Sequence, residues 1–206
     1  MIEHLVEQGT EEWFKVRAGI PTASNFDKII TPTGMASKQF IDYAALLLAE
    51  RILGKPLDRF QDAKPYWMER GNELEAEAAQ TYEFMFDCTT KKAGFCTLDD
   101  GSAGCSPDRF VGEDGLLEIK CPAPWTHVSN LVADKIDNSY IPQVQGQLYV
   151  TGRKWCDWFS YHPDMTPSCI RINRDEEYIA KLDAALKEFA RKMDAQMETL
   201  KEKGAI

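Results

Sequence analysis

The sequence predicts an α/β fold built as a central mixed sheet flanked by helices. Helix-periodic segments fill both ends of the chain, and strand-like runs gather between them with one helical interruption. The order is therefore helices, sheet, helix, strands, helix, which excludes a strictly alternating doubly wound fold. A reversal at Gly112-Glu113-Asp114-Gly115 marks a hairpin in the strand region, because Gly and Asp tolerate the backbone angles a tight turn needs. No repeat, low-complexity run or Gly/Ser linker divides residues 1–206, which read as a single domain able to bury a core of its own.

In chain order, residues 11–16 predict a helix ending near Ala18-Gly19. Pro21 breaks it, and Thr22, Ala23 and Ser24 follow as N-cap residues for a helix reaching Ile30. Residues 39–53 are helical, with Ile41, Ala44, Ala45, Leu48 and Ile52 along one side. Pro65 opens another helix, on which Trp67, Gly71, Leu74, Ala78 and Tyr82 recur at helical spacing. Strands are predicted over 90–97, 102–111 and 115–120, a helix over 141–150, and strands over 154–161 and 168–173. Asp175 caps a long last helix whose apolar face is Ile179, Leu182, Leu186, Phe189, Met193 and Leu200.

Apolar content of 44% and charged content of 28% are those of a water-soluble globular protein. No apolar run approaches the roughly 20 residues of a membrane span. Met1-Ile2-Glu3-His4 has neither the basic start nor the apolar core of an export signal. Six cysteines without clustered spacing read as reduced thiols, so a cytoplasmic protein is expected. The absence of any Cys-x-x-Cys pair disfavours zinc or an iron–sulfur cluster, and His4, His127 and His162 are too scattered to suggest a metal site. A net charge of −9 argues against a flat basic surface for nucleic acid. It leaves room for a protein that encloses DNA in a locally basic channel.

The hairpin carries the most chemistry. A side-chain period of two puts Glu118 and Lys120 on one face of the second strand and Ile119 on the other. Asp108, on the first strand, can face the same pocket. Two carboxylates make an oxygen nest for Mg²⁺, and an ammonium beside them can orient a water or help deprotonate it. That is equipment for phosphodiester hydrolysis, although an edge strand with a solvated charged face would carry the same string. Glu75 flanks the buried stripe of its helix and can reach the sheet edge, or it is one of three surface glutamates with Glu73 and Glu77. Tyr140, Gln143 and Gln147 share a helix face, either as neutral amides at a phosphate site or as ordinary helix polarity. Arg17 stands just before the Thr22/Ser24 helix start. A guanidinium, two hydroxyls and free helix amides together suit a phosphate.

In order along the chain, Trp13…Arg17-x-Gly19-x-x-Thr22-Ala23-Ser24, Gly71-x-x-x-Glu75, Cys105-Ser106-Pro107-Asp108, Leu117-Glu118-Ile119-Lys120-Cys121-Pro122 and Gln143-Val144-Gln145 form ordered blocks. Together they resemble the phage lambda-type exonucleases, or YqaJ-like viral recombinases, of the PD-(D/E)xK nucleases. The resemblance runs from about Val6 to the last helix, where Arg174-Asp175-Glu176 also fits. It implies a restriction-endonuclease-like core and a Mg²⁺-dependent (or Mn²⁺-dependent) enzyme with one or two ions. Such an enzyme degrades one strand of linear duplex DNA from its 5′ end and leaves a 3′ single strand for recombination by annealing. By position, Asp108, Glu118 and the Ile119 backbone carbonyl would hold metal, and Lys120 would orient water. Glu75 and Gln143 would complete the catalytic set. Arg17, Thr22, Ser24 and Ser106 would hold the 5′ phosphate. The resemblance also implies double-stranded DNA ends and a single-strand annealing protein as partners, a homotrimeric ring, no membrane, and the cytoplasm of a bacterial host if phage or prophage encoded. An acid ahead of the Asp108 strand in relatives lines up with Asp99 or Asp100 only after a one-residue slip, so neither is placed in the site.

Three other readings compete. A sequence-specific endonuclease on the same hairpin would need a dimer and base-reading elements, and a phosphate pocket that makes sense only at a strand end speaks against it. A related nuclease group with a four-cysteine cluster is disfavoured by the cysteine spacing. A non-catalytic DNA-end-binding protein would have no use for carboxylates facing phosphate.

Overall fold

The computed structural model describes residues 1–57 and 66–206, the side chains of 66–69 and 72 excepted. The expected helix start at Pro65 and the Trp67 side chain lie outside the described residues. The chain runs β1 (Ile2–His4), α1 (Glu11–Arg17), a 3₁₀ turn (Ala23–Lys28), α2 (Phe40–Leu53), α3 (Tyr66–Phe86), β2 (Thr90–Lys92), β3 (Phe95–Thr97) and β4 (Gly104–Cys105). It continues through β5 (Arg109–Val111), β6 (Gly115–Lys120), α4 (Pro124–Ala133), a second 3₁₀ turn (Asn138–Tyr140), α5 (Ile141–Thr151), β7 (Trp155–Ser160), β8 (Ser168–Asn173) and α6 (Glu176–Glu202).

Alternation along β6 and β7 sorts the core into two layers. Leu116, Cys156 and Trp158 pack with Tyr43 of α2, Val144 and Leu148 of α5, and Leu182 and Phe189 of α6. Leu117, Ile119 and Phe159 pack on the other side with Ala78, Ala79 and Tyr82 of α3. The five-stranded sheet has the order β2-β5-β6-β7-β8. Its β6–β7 pair is parallel and its other pairs are antiparallel, so the sheet is mixed. The parallel pair requires a crossover, and α4 and α5 provide it. A smaller sheet, β1-β3-β4, lies beside it.

Several sequence expectations are corrected. Residues 90–97 form two strands in different sheets, because the chain changes sheet at Ala93-Gly94. A Cβ on Gly94 would stand 2.1 Å from the His4 carbonyl oxygen, so only glycine allows β1 to cross there. Residues 102–111 also split. Pro107 has no N–H for a ladder, and its carbonyl accepts instead from Gln8 Nε2 at 2.9 Å. The helix expected to reach Ile30 is a short 3₁₀ turn whose N-terminal residue, Thr22, makes no side-chain cap. On α2 the buried stripe is Tyr43, Ala44, Leu47, Leu48 and Glu50, while Ile41 is exposed. Glu50 wins an inward place because its carboxylate takes the Gly19 and Leu57 N–H groups, both at 2.8 Å. Unforeseen were the three-residue β1 and α4, whose sequence is rich in β-branched residues and buries only His127. α6 follows expectation: Asp175 accepts from the Tyr178 N–H at 3.0 Å, and Ile179, Leu182, Leu186, Phe189 and Met193 are buried.

Candidate active site

Glu118 lies on β6, the strand flanked by β5 and β7, and is 3% exposed. A carboxylate so placed must be matched by donors or it destabilises the fold. Its Oε1 accepts from Lys120 Nζ and from Gln143 Nε2, each at 2.7 Å. Its Oε2 accepts from Gln147 Nε2, also at 2.7 Å. Gln143 and Gln147 are one helical turn apart on α5, which faces this side of the sheet. Pro142 sits in the first turn of α5, where its missing N–H leaves no bond unmade. Gly146 lets the helix lie against the 3₁₀ turn, since a Cβ there would fall 2.4 Å from the Phe26 ring.

Asp108 approaches from the bend before β5, and its Oδ2 accepts the Ile119 N–H at 2.6 Å. Burial pushes its carboxyl well above the usual carboxylate range. The Glu118 charge adds to that rise, Glu75 adds further, and Lys120 and the Ile119 N–H oppose it without cancelling it. Glu75, half-buried on α3, is therefore within electrostatic reach of the pair. Burial alone would lower the Lys120 value, but Glu118 and then Asp108 outweigh it and hold the ammonium above the ordinary lysine range. Lys120 also lies 4.9 Å from the Trp158 ring centre, within cation–π range. Asp108, Glu118, Lys120 and Gln143 are thus brought together, Glu75 lies within electrostatic reach of Asp108, and Gln147, outside the expected site set, joins them. Its signal was visible: Gln143 and Gln147 share a helix face at i, i+4.

Arg17, Thr22, Ser24 and Ser106 form a second polar cluster. Arg17 Nη2 donates to Thr22 Oγ1 at 3.3 Å, and Thr22 Oγ1 lies 3.3 Å from Ser24 Oγ. The Arg17 guanidinium stacks 3.7 Å over the Trp13 ring, and Trp13 Nε1 donates to Ser106 Oγ at 2.9 Å. Trp13 holds the cluster together, one helical turn before Arg17, and Asn25 Nδ2 joins it at 3.4 Å from Thr22 Oγ1. Neither Trp13 nor Asn25 was among the expected site residues. Thr22 bridges to Gly104 of β4, whose N–H donates to the Pro21 carbonyl at 3.0 Å. Ser106 follows two residues after Gly104, and Asp108 two residues later, so β4 ties this cluster to the carboxylates. A cavity of about 360 Å³ adjoins it, lined among others by Arg17, Thr22, Asn25, Lys28, Tyr43 and Glu50.

Other acids and amides serve elsewhere. Asp99 pairs with the N-terminal ammonium at 2.5 Å, and Asp100 accepts from the Ser102 N–H and hydroxyl. Gln145 Nε2 donates to the Asn173 carbonyl, and its Oε1 accepts the Asp175 N–H. All six cysteines are free thiols. Among the described residues no three His, Cys, Asp or Glu side chains converge as a ready cage for a metal, and no helix is long and apolar enough to cross a membrane.

The YqaJ-like viral recombinase domain matches residues 12–154. Among solved structures, an alkaline exonuclease from Laribacter hongkongensis (LHK-Exo) is 35% identical, with 95% of this chain and 98% of that one covered at a TM-score of 0.84. LHK-Exo in complex with dAMP is 34% identical over the same shares, again at 0.84. A phage related exonuclease from Haemophilus somnus 129PT shares the fold at 14% identity and a TM-score of 0.64, covering 86% of this chain and 96% of that one. No curated protein matches. The mixed sheet, with Asp108 leading into one strand of its hairpin and Glu118-Ile119-Lys120 on the other, has the restriction-endonuclease-like form. The chain belongs to the YqaJ-like viral recombinase family, the lambda-type exonucleases among the PD-(D/E)xK nucleases.

Proposed function

We propose that this protein is a divalent-metal-dependent exonuclease that degrades the 5′ strand of linear duplex DNA and leaves a 3′ single strand for annealing. Family membership and the likeness to an alkaline exonuclease support a nuclease role. The observation that carries the strand-end reading is the short link Thr22–Gly104–Ser106–Asp108. It sets a guanidinium-and-hydroxyl cluster, suited to a terminal phosphate, within a few residues of the hydrolytic carboxylates. An enzyme that grips the 5′ phosphate there and cuts at Asp108 and Glu118 leaves a new 5′ phosphate after every cut. That phosphate can enter the same cluster, so the enzyme advances along the strand.

The donor set fits a small hard cation. Asp108 and Glu118 present carboxylate oxygens close enough to raise the Asp108 pKa, and Glu75 adds negative potential. Mg²⁺ needs only one or two protein carboxylates and completes its shell with water and substrate, so a dedicated cage of three acids is not required. Asp108, Glu118 and the Ile119 carbonyl would hold Mg²⁺ or Mn²⁺, as one or two ions. The ion would supply charge to the transferring phosphate and a more acidic water. Lys120, held protonated by its two carboxylate neighbours, acts as a donor that orients water and meets developing negative charge, rather than as a proton acceptor. Gln143 fixes Glu118 from the half-buried side of α5.

A ring-shaped homotrimer and a single-strand annealing partner belong to the same proposal. Enclosure reconciles DNA binding with a net charge of −9, and α4 carries no charged residue while exposing Trp125, Val128 and Val132 to a neighbouring copy. The test is digestion of end-labelled linear, nicked and closed circular duplexes with Mg²⁺ or EDTA. Release of mononucleotides from the 5′ ends of linear DNA, only with metal, is expected. Cutting of closed circles, or digestion that survives EDTA, would refute the reading.

A further inference from the structure

The two glutamines that hold Glu118 are not equivalent. Gln143 is half-buried and bonds Oε1, the oxygen shared with Lys120. Gln147 is 1% exposed and bonds Oε2 alone, in the interior. Its own Oε1 is buried and has no hydrogen-bond partner among the described residues. Turning the amide over would not help, because that would set a carbonyl oxygen against the carboxylate. The fold therefore tolerates an orphaned acceptor so that an N–H₂ points at Glu118. Neighbouring Val144, Leu148 and Val150 are buried and apolar, so the Gln147 amide is a polar group set among them to meet Glu118 Oε2.

We infer that Gln147 is a positioning residue that pins Glu118 Oε2 in the interior, so that Oε1 is the single oxygen this carboxylate offers to a cation. Lys120 and Gln143, which share Oε1 from the open side, can turn to water or phosphate when the ion arrives. Gln147 has no such alternative, and it fixes the plane of the carboxylate. Groups that orient a metal ligand in this way set metal affinity without touching the metal.

The inference rests on Glu118 being a metal ligand, and the experiment separates the two claims. Mn²⁺ binding to the metal-free protein is measured by titration calorimetry, with no DNA present, for wild type, Glu118→Ala, Gln147→Met and Gln147→Asn. Thermal unfolding of each metal-free protein is recorded alongside. If Glu118→Ala binds Mn²⁺ as wild type does, the metal-site reading itself fails. If Glu118→Ala loses binding, Gln147→Met should bind roughly 10- to 100-fold more weakly, the range typical of lost orienting partners. Its unfolding temperature is expected to fall, because Glu118 Oε2 loses its donor, so binding is compared at a temperature where every variant is folded. Gln147→Asn keeps an amide but stops one methylene short of Glu118, and should weaken binding similarly. Wild-type affinity in Gln147→Met, or recovery in Gln147→Asn, would overturn the positioning role. So would a Gln147→Met protein that cannot fold, since the side chain would then be a folding element first.

Discussion

Replacing Arg17 by alanine removes the guanidinium of the Trp13–Thr22–Ser24–Ser106 cluster and leaves the carboxylate site untouched. The side chain is already placed for a ligand, stacked 3.7 Å over Trp13 and 3.3 Å from Thr22 Oγ1, so its donors need little reordering when a phosphate arrives. A hydrogen bond to a charged group contributes about 1.5–3 kcal/mol net. At about 1.4 kcal/mol per tenfold, loss of one such interaction corresponds to roughly a 10- to 150-fold change in preference. A duplex with a 5′ phosphate on one end and a hydroxyl on the other, 3′-labelled on both strands, reads that preference directly. Wild type is expected to start at the phosphorylated end by about that factor, and Arg17→Ala to start at both ends at similar, slow rates. Arg17→Lys keeps the charge but loses the planar fork and much of the stacking, so it should recover only part of the preference. Equal use of both ends by wild type, or an unchanged preference in Arg17→Ala, would show that this cluster does not hold the terminal phosphate.

Asp108→Ala and Glu118→Ala are expected to abolish cleavage in gel assays while circular dichroism stays native; Lys120→Ala should lose most of the rate but retain Mn²⁺ binding, and Glu75→Ala should lose a large part of it. The raised Asp108 carboxyl makes the metal-free protein pH-sensitive. Its folded pKa lies above the unfolded value of about 3.9, so its share of stability is full below that value and is lost as pH rises through the folded pKa. Denaturant titrations across that window should show the loss in wild type and not in Asp108→Asn. Away from the site, Tyr82→Phe removes the 2.7 Å bond from the phenol to buried Asp157, which Arg171 also pairs at 2.8 Å; urea unfolding should show a loss of about 1.5–3 kcal/mol with nuclease activity unchanged.

How much of this was legible in the sequence follows from the range of the forces involved. The hairpin was, because turn chemistry at 112–115 and a period of two are local, and they alone place Asp108, Glu118 and Lys120 on one side. The last helix was too, because its apolar repeat and its Asp175 cap are both internal to the segment. The strand breaks at Ala93-Gly94 and Ser106-Pro107 were not. The first depends on β1, some ninety residues earlier in sequence, crossing over Gly94, and the second on Gln8 reaching the Pro107 carbonyl. The face of α2 was misjudged for a similar reason: a glutamate becomes an inward residue only when distant backbone N–H groups, here of Gly19 and Leu57, are waiting for it.

The candidate site follows the same rule. Residue types and order pointed to the carboxylates and to Arg17, whereas Trp13 opened the first motif block with no role attached to it. Its role appears only when β4 brings Ser106 to its indole N–H. The pairing of Thr22 with Gly104 then has a consequence beyond packing. A shift of the 3₁₀ turn would move Thr22 and Ser24 together with β4, and β4 leads through Ser106 and Pro107 to Asp108. On the proposed function, the distance between the cluster that would grip a strand end and the carboxylates that would cut it is therefore set by backbone bonds, not by flexible side chains. An enzyme that must advance by one nucleotide per cut needs that distance constant. The short, proline-broken run from Gly104 to Asp108 is where the fold holds it.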